Sequence, residues 1–331
     1  MNLKTNTISR QNTKVLILAG GHDFGRCSLA SILPSALWPL NGRSSIEHLL
    51  ESLANQGIKY VTILPGSNKS FFTESLHIDN RLEVEYLVEP LSVGTAGSIR
   101  DAAKNTDESL FLLLPASIVC PPDIEFLINA HIKSTADLTV VLEKVNSGDC
   151  EKEERASGIF ICGGSVLEFI PGAGFYDIKE GLIPKLLLNG KSVHAVTLSH
   201  QTGSFRDCQE YLQAVSNYIQ DIANLNNTEH FESNDIYNLW TGAEVKIDPS
   251  ARIAGNVILM DNVSISEGAV VIGPSIIGKN VTIGKNSVVL NSIVWDNSII
   301  AAHCNIEHSV LYYNSSLYSH ENVTGNCIAS G

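Results

Sequence analysis

Through the first two thirds of the chain, short apolar runs alternate with segments whose apolar residues recur three and four positions apart. The runs Val15–Leu18, Tyr60–Leu64, Leu82–Leu87, Leu110–Leu114, Leu138–Leu142, Gly158–Cys162 and Val193–Leu198 read as strands. Between them the spacing predicts helices over Ser44–Gln56, Thr95–Lys104, Pro122–Lys133, Lys179–Leu188 and Asp207–Ile222. The last of these sets Tyr211, Leu212, Val215, Tyr218 and Ile219 on one face. Strands alternating with helices imply βαβ units, so a Rossmann-like α/β/α domain with a largely parallel sheet is expected over residues 14–223. A polar tail (1–13) precedes it and a polar linker (224–242) follows.

Past Gly242 the rhythm changes to a strict period of six. Apolar residues fall at Ile247, Ile253, Leu259, Ile265, Val271, Ile277, Ile283, Val289 and Trp295. Four residues after each comes a small or β-branched residue: Ala251, Val257, Val263, Ala269, Ser275, Val281, Ser287, Ile293 and Ile299. A large residue stacking inside, with a small or branched one at each corner, is the pattern of a hexapeptide parallel β-helix over residues 243–331. A sandwich of short strands would alternate with period two instead. Three six-residue edges close one coil, so Val245–Ile300 makes about three coils. The period fails at Ala301 and Glu307, which predicts an irregular continuation or cap as far as Gly331.

Composition narrows the function classes. The 331 residues hold 35 acidic and 22 basic side chains, a net charge of −13, which argues against nucleic-acid binding. With 44% apolar and 17% charged residues the chain is not of the disordered class. No apolar stretch approaches the roughly 20 residues that span a bilayer. The polar start lacks a secretory core, so a cytoplasmic protein is expected. Seven cysteines (27, 120, 150, 162, 208, 304 and 327) are scattered without a C-x-x-C pair, and are read as reduced thiols.

The candidate chemistry begins where the first strand runs into Leu18-Ala19-Gly20-Gly21. Glycines lack a Cβ, so backbone there can approach a base or phosphate and offer it N–H groups. Gly94–Gly97, just before a helix, offers a second such loop with helix-terminal amides. Taken singly, each glycine pair is equally well a plain tight turn.

In order along the chain stand Leu18–Gly21; Asn41-Gly42-Arg43; Ile46-Glu47-His48-Leu49-Leu50; Gln56-Gly57-Ile58; Glu89-Pro90-Leu91-Ser92-Val93-Gly94-Thr95-Ala96-Gly97; Phe111–Leu114; and Asp177–Pro184. This ordered set resembles the sugar-1-phosphate nucleotidyltransferases, the nucleotide-sugar pyrophosphorylases, which also carry a left-handed β-helix. The resemblance implies a nucleotide and sugar-phosphate site lined by Leu18, Ala19, Gly20, Gly21, Glu89, Gly94, Thr95 and Ser117. It implies magnesium as cofactor.

Four parts of the family's pattern are altered. Its opening loop reads Gly-x-Gly-Thr-Arg-Leu, where this chain has Asp23, Phe24 and Gly25, with Arg26 one place late. Its Pro-Lys lysine is Ser35. The Arg and Lys neutralise phosphate charge during transfer, and such groups are worth several kcal/mol. The Gly-Asp that holds magnesium is replaced by Pro115-Ala116-Ser117, which puts a hydroxyl in the place of a carboxylate. The second metal carboxylate matches Asp207, which with Glu210 three residues on is also a helix cap. Between Leu142 and Gly158 the family's sugar hairpin is expected to be missing, and Glu143-Lys144 and Glu151-Lys152 there read as solvated charge.

These changes point to a catalytically degenerate member that binds a nucleotide, nucleotide sugar or sugar phosphate. Such a protein would work as a homo-oligomer or as a regulatory subunit with an active paralogue. An active transferase stays open if Arg26 moves into place and Lys14, His22 or Arg206 supplies charge, with Asp207 as catalytic and metal residue. A third reading, acyl transfer by the β-helix, would use His303, His308 and Cys304 at its far end.

Overall fold

The computed structural model describes residues 13–20, 27–67, 69–105, 109–147, 151–225, 232–234, 238–325 and 327–328. Most of the amino-terminal tail, the interval 21–26 and much of the linker lie outside them. The chain forms two compact units that do not follow chain order. One comprises Met1–His22 and Ile46–Thr202, the other Asp23–Ser45 and Gly203–Gly331.

The first unit is a Rossmann-like α/β domain built on a seven-stranded sheet. Its strands are β1 (Thr13–Leu18), β2 (Tyr60–Leu64), β3 (Glu83–Tyr86), β4 (Leu110–Pro115), β5 (Leu138–Ser147), β6 (Glu151–Gly163) and β7 (Val193–Thr197). They lie in the order β3-β2-β1-β4-β6-β5-β7, parallel except for β6, which runs antiparallel between β4 and β5. The central strands are near-continuous apolar runs because helices cover a parallel sheet on both faces. On one face Leu16, Leu64, Phe111, Leu113 and Phe160 share a core with Ala96 and Ile99 of helix Gly94–Ala102, and with Ile178, Leu182 and Leu186. Val15, Ile17, Leu112 and Leu114 alternate onto the other face and are buried as well.

Every predicted strand and helix is present, with ends shifted by a few residues. Helix Lys69–Ser75 and the short helix Ser28–Ile32 are additions. The expectation that residues 143–157 hold no hairpin is corrected: β5 and β6 form an antiparallel hairpin, paired out to Ser147 and Glu151.

The second unit carries a left-handed parallel β-helix with three faces. One face stacks Val257–Leu259, Ser275–Ile277, Ile293–Val294, Val310–Leu311 and Cys327–Ile328. The interior ladder follows the expected period from Leu259 through Ile265, Val271, Ile277 and Ile283 to Val289 in one apolar core, but its start is corrected: Ile253 is only partly buried against that core and Ile247, on the first coil with no coil before it, is exposed. It does not end at Ala301. Ile277 pairs with Val294, not Trp295, and the ladder continues through Ile300, Ile306, Leu311, Leu317 and Val323.

The spacing after Val289 is five, six, six, five, six and six, so each later coil is one residue shorter. The saving is made at one corner. Gly273-Pro274 connects Ile272 to Ser275, whereas Asn291 alone connects Leu290 to Ser292 in a left-handed turn at φ 47°. His308 repeats this one coil later at φ 49°. The predicted corner residues Ile293 and Ile299 are therefore corrected to Ser292 and Ser298. Both serines are fully buried, while Ile299 is half exposed. The serines stack: Ser292 N–H donates to Ser275 Oγ and Ser309 N–H to Ser292 Oγ, each at 3.1 Å.

Corner side chains stack too. Asn262, Asn280 and Asn297 form a hydrogen-bonded column at left-handed positions, with amide contacts of 3.1 and 2.9 Å. Trp295, displaced from the ladder, joins an aromatic cluster with Trp38, Tyr211, Tyr312 and Tyr313, ring centroids 4.8–6.4 Å away. His303 stacks on His320 at 4.9 Å, and His308 Nε2 lies 3.3 Å from Asn291 Nδ2, so these histidines form corner columns. Among the described residues no helix is long and apolar enough to cross a membrane.

Candidate functional site

The chain lays β2 and β3 to one side of β1 and then crosses to place β4 on the other. In open α/β sheets the crevice beyond the carboxyl ends at such a reversal is where ligands bind. Leu18 ends β1 opposite Pro115 of β4, and Ala116 N–H donates to the Leu18 carbonyl at 2.9 Å. The predicted residues Leu18, Ala19, Gly20 and Ser117 thus meet at this edge, with Ser117 buried. Gly21, His22 and Arg26 lie outside the described residues.

The two backbone loops are engaged with neighbours, which revises what their glycines do. Ala19 and Gly20 both donate to the Leu64 carbonyl at 3.0 Å. A Cβ on Gly20 would stand 2.2 Å from Gly66 N, so the glycine lets the Pro65-Gly66 turn of β2 pack against β1. The Gly20 amide is therefore spent within the sheet rather than offered to a ligand. At the second loop Gly94 has φ 74°, and a Cβ there would stand 2.6 Å from the Tyr176 carbonyl. That carbonyl accepts from Ala96 and Gly97 at 3.0 and 3.1 Å. Two amides of the helix start, expected to face a ligand, are capped by protein.

Thr95 locks this loop to the segment 176–182. Its Oγ1 donates to Asp177 Oδ2 and accepts from Ile178 N–H, both at 2.9 Å. Asp177 Oδ1 accepts from Lys179 N at 2.7 Å and Glu180 N at 3.2 Å. Two stretches recognised separately in the sequence, Glu89–Gly97 and Asp177–Pro184, are thereby one unit. Asp177 and Tyr176 were not singled out as site residues, because their partners lie some 80 positions away in sequence.

Glu89 is half-buried beside the helix Gly94–Ala102. Burial pushes its carboxyl above the ordinary range; Ser98 and Arg100 oppose the rise and Asp101 adds to it. Its Oε1 is buried and, among the described residues, has no hydrogen-bond partner. An orphaned buried acceptor costs free energy until a donor arrives, and a ligand hydroxyl or amide would supply one.

The family's magnesium does not fit the described donor set. Beyond β4 stands a serine, a weak ligand for a hard cation. Asp207 lies in the second unit as the cap of helix Cys208–Leu225: Oδ1 accepts from Glu210 N at 2.9 Å while Glu210 accepts from Arg206 N at 2.8 Å. No cluster of carboxylates converges among the described residues.

Two charge readings are revised. Glu143 is not solvated: it is 1% exposed and accepts from Thr202 N and Oγ1 at 2.9 and 2.8 Å and from Arg155 at 3.1 Å. Its strand alternates inward at Val141 and then Glu143, a signal the sequence carried. Thr202 in turn accepts from Val119 and Cys120 N–H, holding the segment after Ser117. Lys14 pairs with Glu85 at 3.6 Å near the amino end of β1, about 13 Å in strand length from Leu18. It cannot supply charge at the carboxyl edge.

Residues 14–152 match the family described as nucleotidyl transferase, and residues 236–331 the EIF2B subunit epsilon LbH domain, a left-handed β-helix. A mannose-1-phosphate guanylyltransferase of Mycobacterium tuberculosis is 23% identical over 320 residues, covering 88% of this chain and 82% of that protein. A UTP–glucose-1-phosphate uridylyltransferase of Synechocystis is 22% identical over 326 residues, covering 86% and 83%. Among solved structures, HddC from Yersinia pseudotuberculosis aligns with TM-score 0.52 and 20% identity, over 62% of this chain and 99% of that one, a likeness of fold. With its α/β sheet followed by the β-helix, the chain carries a nucleotidyl transferase domain and an LbH domain, and relatives matched over most of its length are sugar-1-phosphate nucleotidyltransferases.

Proposed function

We propose that this chain binds a nucleotide sugar or sugar phosphate without transferring a nucleotidyl group, as a regulatory member of its family. The observation that carries the reading is the edge beyond β1 and β4. The backbone framework of a ligand crevice is kept there, while Pro115-Ala116-Ser117 brings a hydroxyl where the family pattern has a magnesium carboxylate. Transfer needs cations to offset charge on the phosphate oxygens; binding of a sugar or base needs hydrogen-bond partners, and the orphaned Glu89 Oε1 is one. Ser35 in place of the family lysine supports the same reading. Regulation would come from oligomers, with itself or with an active paralogue.

The test is pyrophosphate release by the full chain with GTP or UTP and mannose-1-phosphate or glucose-1-phosphate, in magnesium. No release above the uncatalysed background is expected from any pair. Turnover that co-purifies with the chain and is lost in Asp207→Ala would establish an active transferase instead. Ser117→Asp combined with Ser35→Lys is expected to create magnesium-dependent triphosphate binding, read as a thermal shift.

A further inference from the structure

The nucleotidyltransferase reading makes no use of three cysteines that the fold of the second unit gathers from distant parts of the chain. Cys27 immediately precedes helix Ser28–Ile32, Cys208 opens helix Cys208–Leu225, and Cys327 lies on the last strand of the β-helix, paired with Val310. Cys27 Sγ lies 3.3 Å from Cys208 Sγ. All three sulfurs lie within 4.8 Å of one another. Cys208 and Cys327 are joined as a disulfide, with Cα atoms 6.7 Å apart and a sequence separation of 119. The expectation that all seven cysteines are reduced thiols is thereby corrected for Cys208 and Cys327, while Cys27 keeps its free thiol.

A disulfide between Cys208 and Cys327 uses two sulfurs and leaves the third, buried, packed against them with no task. A thiophilic cation uses all three. Tetrahedral zinc holds sulfur at about 2.3 Å, which places thiolates ~3.8 Å apart, a spacing that the 3.3 Å approach of Cys27 to Cys208 and the 4.8 Å limit on all three allow once Cys208 and Cys327 are reduced and separate. Cys208 is the first residue of an 18-residue helix, where the dipole favours the thiolate that a metal requires. Among the described residues no other His, Cys, Asp or Glu joins the group, so the fourth position is left for water or an added ligand. Two of the three remaining described thiols contrast with it. Cys162 sits alone in the sheet core, its thiol pushed up to about 12 by burial, and Cys304 donates to the Tyr318 carbonyl at 3.0 Å.

We propose that Cys27, Cys208 and Cys327, with their thiols reduced, form a trithiolate site for a soft divalent cation of the zinc type. The ion pins the segment around Cys27 and the long helix to the terminal coil of the β-helix. Because such an ion binds the folded arrangement alone, it stabilises that end of the unit by mass action.

The experiment is metal analysis of the full chain purified under a phosphine reductant without chelator. About one zinc per chain is expected, lost in each of C27S, C208S and C327S and retained in C162S and C304S. Zinc retained in C27S would overturn the assignment, since a pair would then suffice. Cobalt exchange into the wild-type chain decides the matter even if a serine variant fails to fold. Intense tetrahedral d–d bands with thiolate charge transfer are expected. A reduced chain that holds no zinc and gives no such bands with added cobalt, or one that keeps Cys208 and Cys327 joined under that reductant, contradicts the proposal.

Discussion

The β-helix and the α/β sheet are specified in different ways. In the β-helix a residue's fate follows from its place in a repeat, because every coil presents the same three edges to the coil before it. In the sheet domain it follows from one partner far away in sequence: Gly94 is shaped by Tyr176, and Glu143 is satisfied by Thr202. A repeat therefore tolerates loss of a residue by shifting every later position together, as happens at Asn291. A non-local contact has no such freedom. Substitutions should separate the two behaviours.

The largest effect is expected at adjacent positions of the shortened coil. Ser298 is fully buried and Ile299 half exposed, the reverse of an unbroken period of six. Ser298→Asp buries a carboxylate and should unfold the terminal coils, lowering stability by several kcal/mol. Ile299→Asp should stay within about 0.5 kcal/mol of the wild type. Thermal melts followed by circular dichroism would distinguish them, and equal effects would return Ile299 to the interior.

In the sheet domain, Glu143→Ala orphans the buried Thr202 N–H and hydroxyl and should cost ~2–4 kcal/mol in chemical denaturation. Gly94→Ala combines a left-handed φ with a backbone clash at Tyr176 and should cost ~1–3 kcal/mol. Because the clash lies at the candidate site, ligand affinity should fall with it.

The smallest effect carries a pH signature. Burial raises the Glu89 carboxyl, so the folded state prefers the protonated form. Its contribution to stability is full below the unfolded carboxylate value and is lost as pH rises through the folded one. Glu89→Gln should therefore raise Tm by about 1–3 °C at pH 8, with the gain vanishing near pH 4. A gain independent of pH would remove the titration of Glu89 as its cause.

The legibility of the sequence followed the same division. Six-residue periodicity located the β-helix and its interior from Leu259 to Val289, because stacking coils must repeat the apolar position, but it also counted Ile247, which the first coil leaves exposed. It lost the register where Asn291 replaced Gly273-Pro274, since a fixed period cannot absorb a deletion. Ile300, Ile306, Leu311, Leu317 and Val323 carried the shifted phase all along. In the sheet, strands and helices were legible from apolar runs and helical spacing. The inward place of Glu143 was carried by the alternation through Val141, but its partner was not, because Thr202 lies 59 positions on. At the candidate site, Gly20 and Gly94 were legible as places of close approach. What approaches them, the Pro65-Gly66 turn and Tyr176, was not.

The most direct test of the central claim is calorimetric titration of the full chain with GDP-mannose and UDP-glucose, each with magnesium and with a chelator that leaves thiolate-bound zinc in place. The account predicts saturable binding of a nucleotide sugar whose affinity is the same in both buffers, because Ser117 stands where the family pattern has the magnesium carboxylate. Binding that requires magnesium, or the absence of binding by either nucleotide sugar, would contradict it.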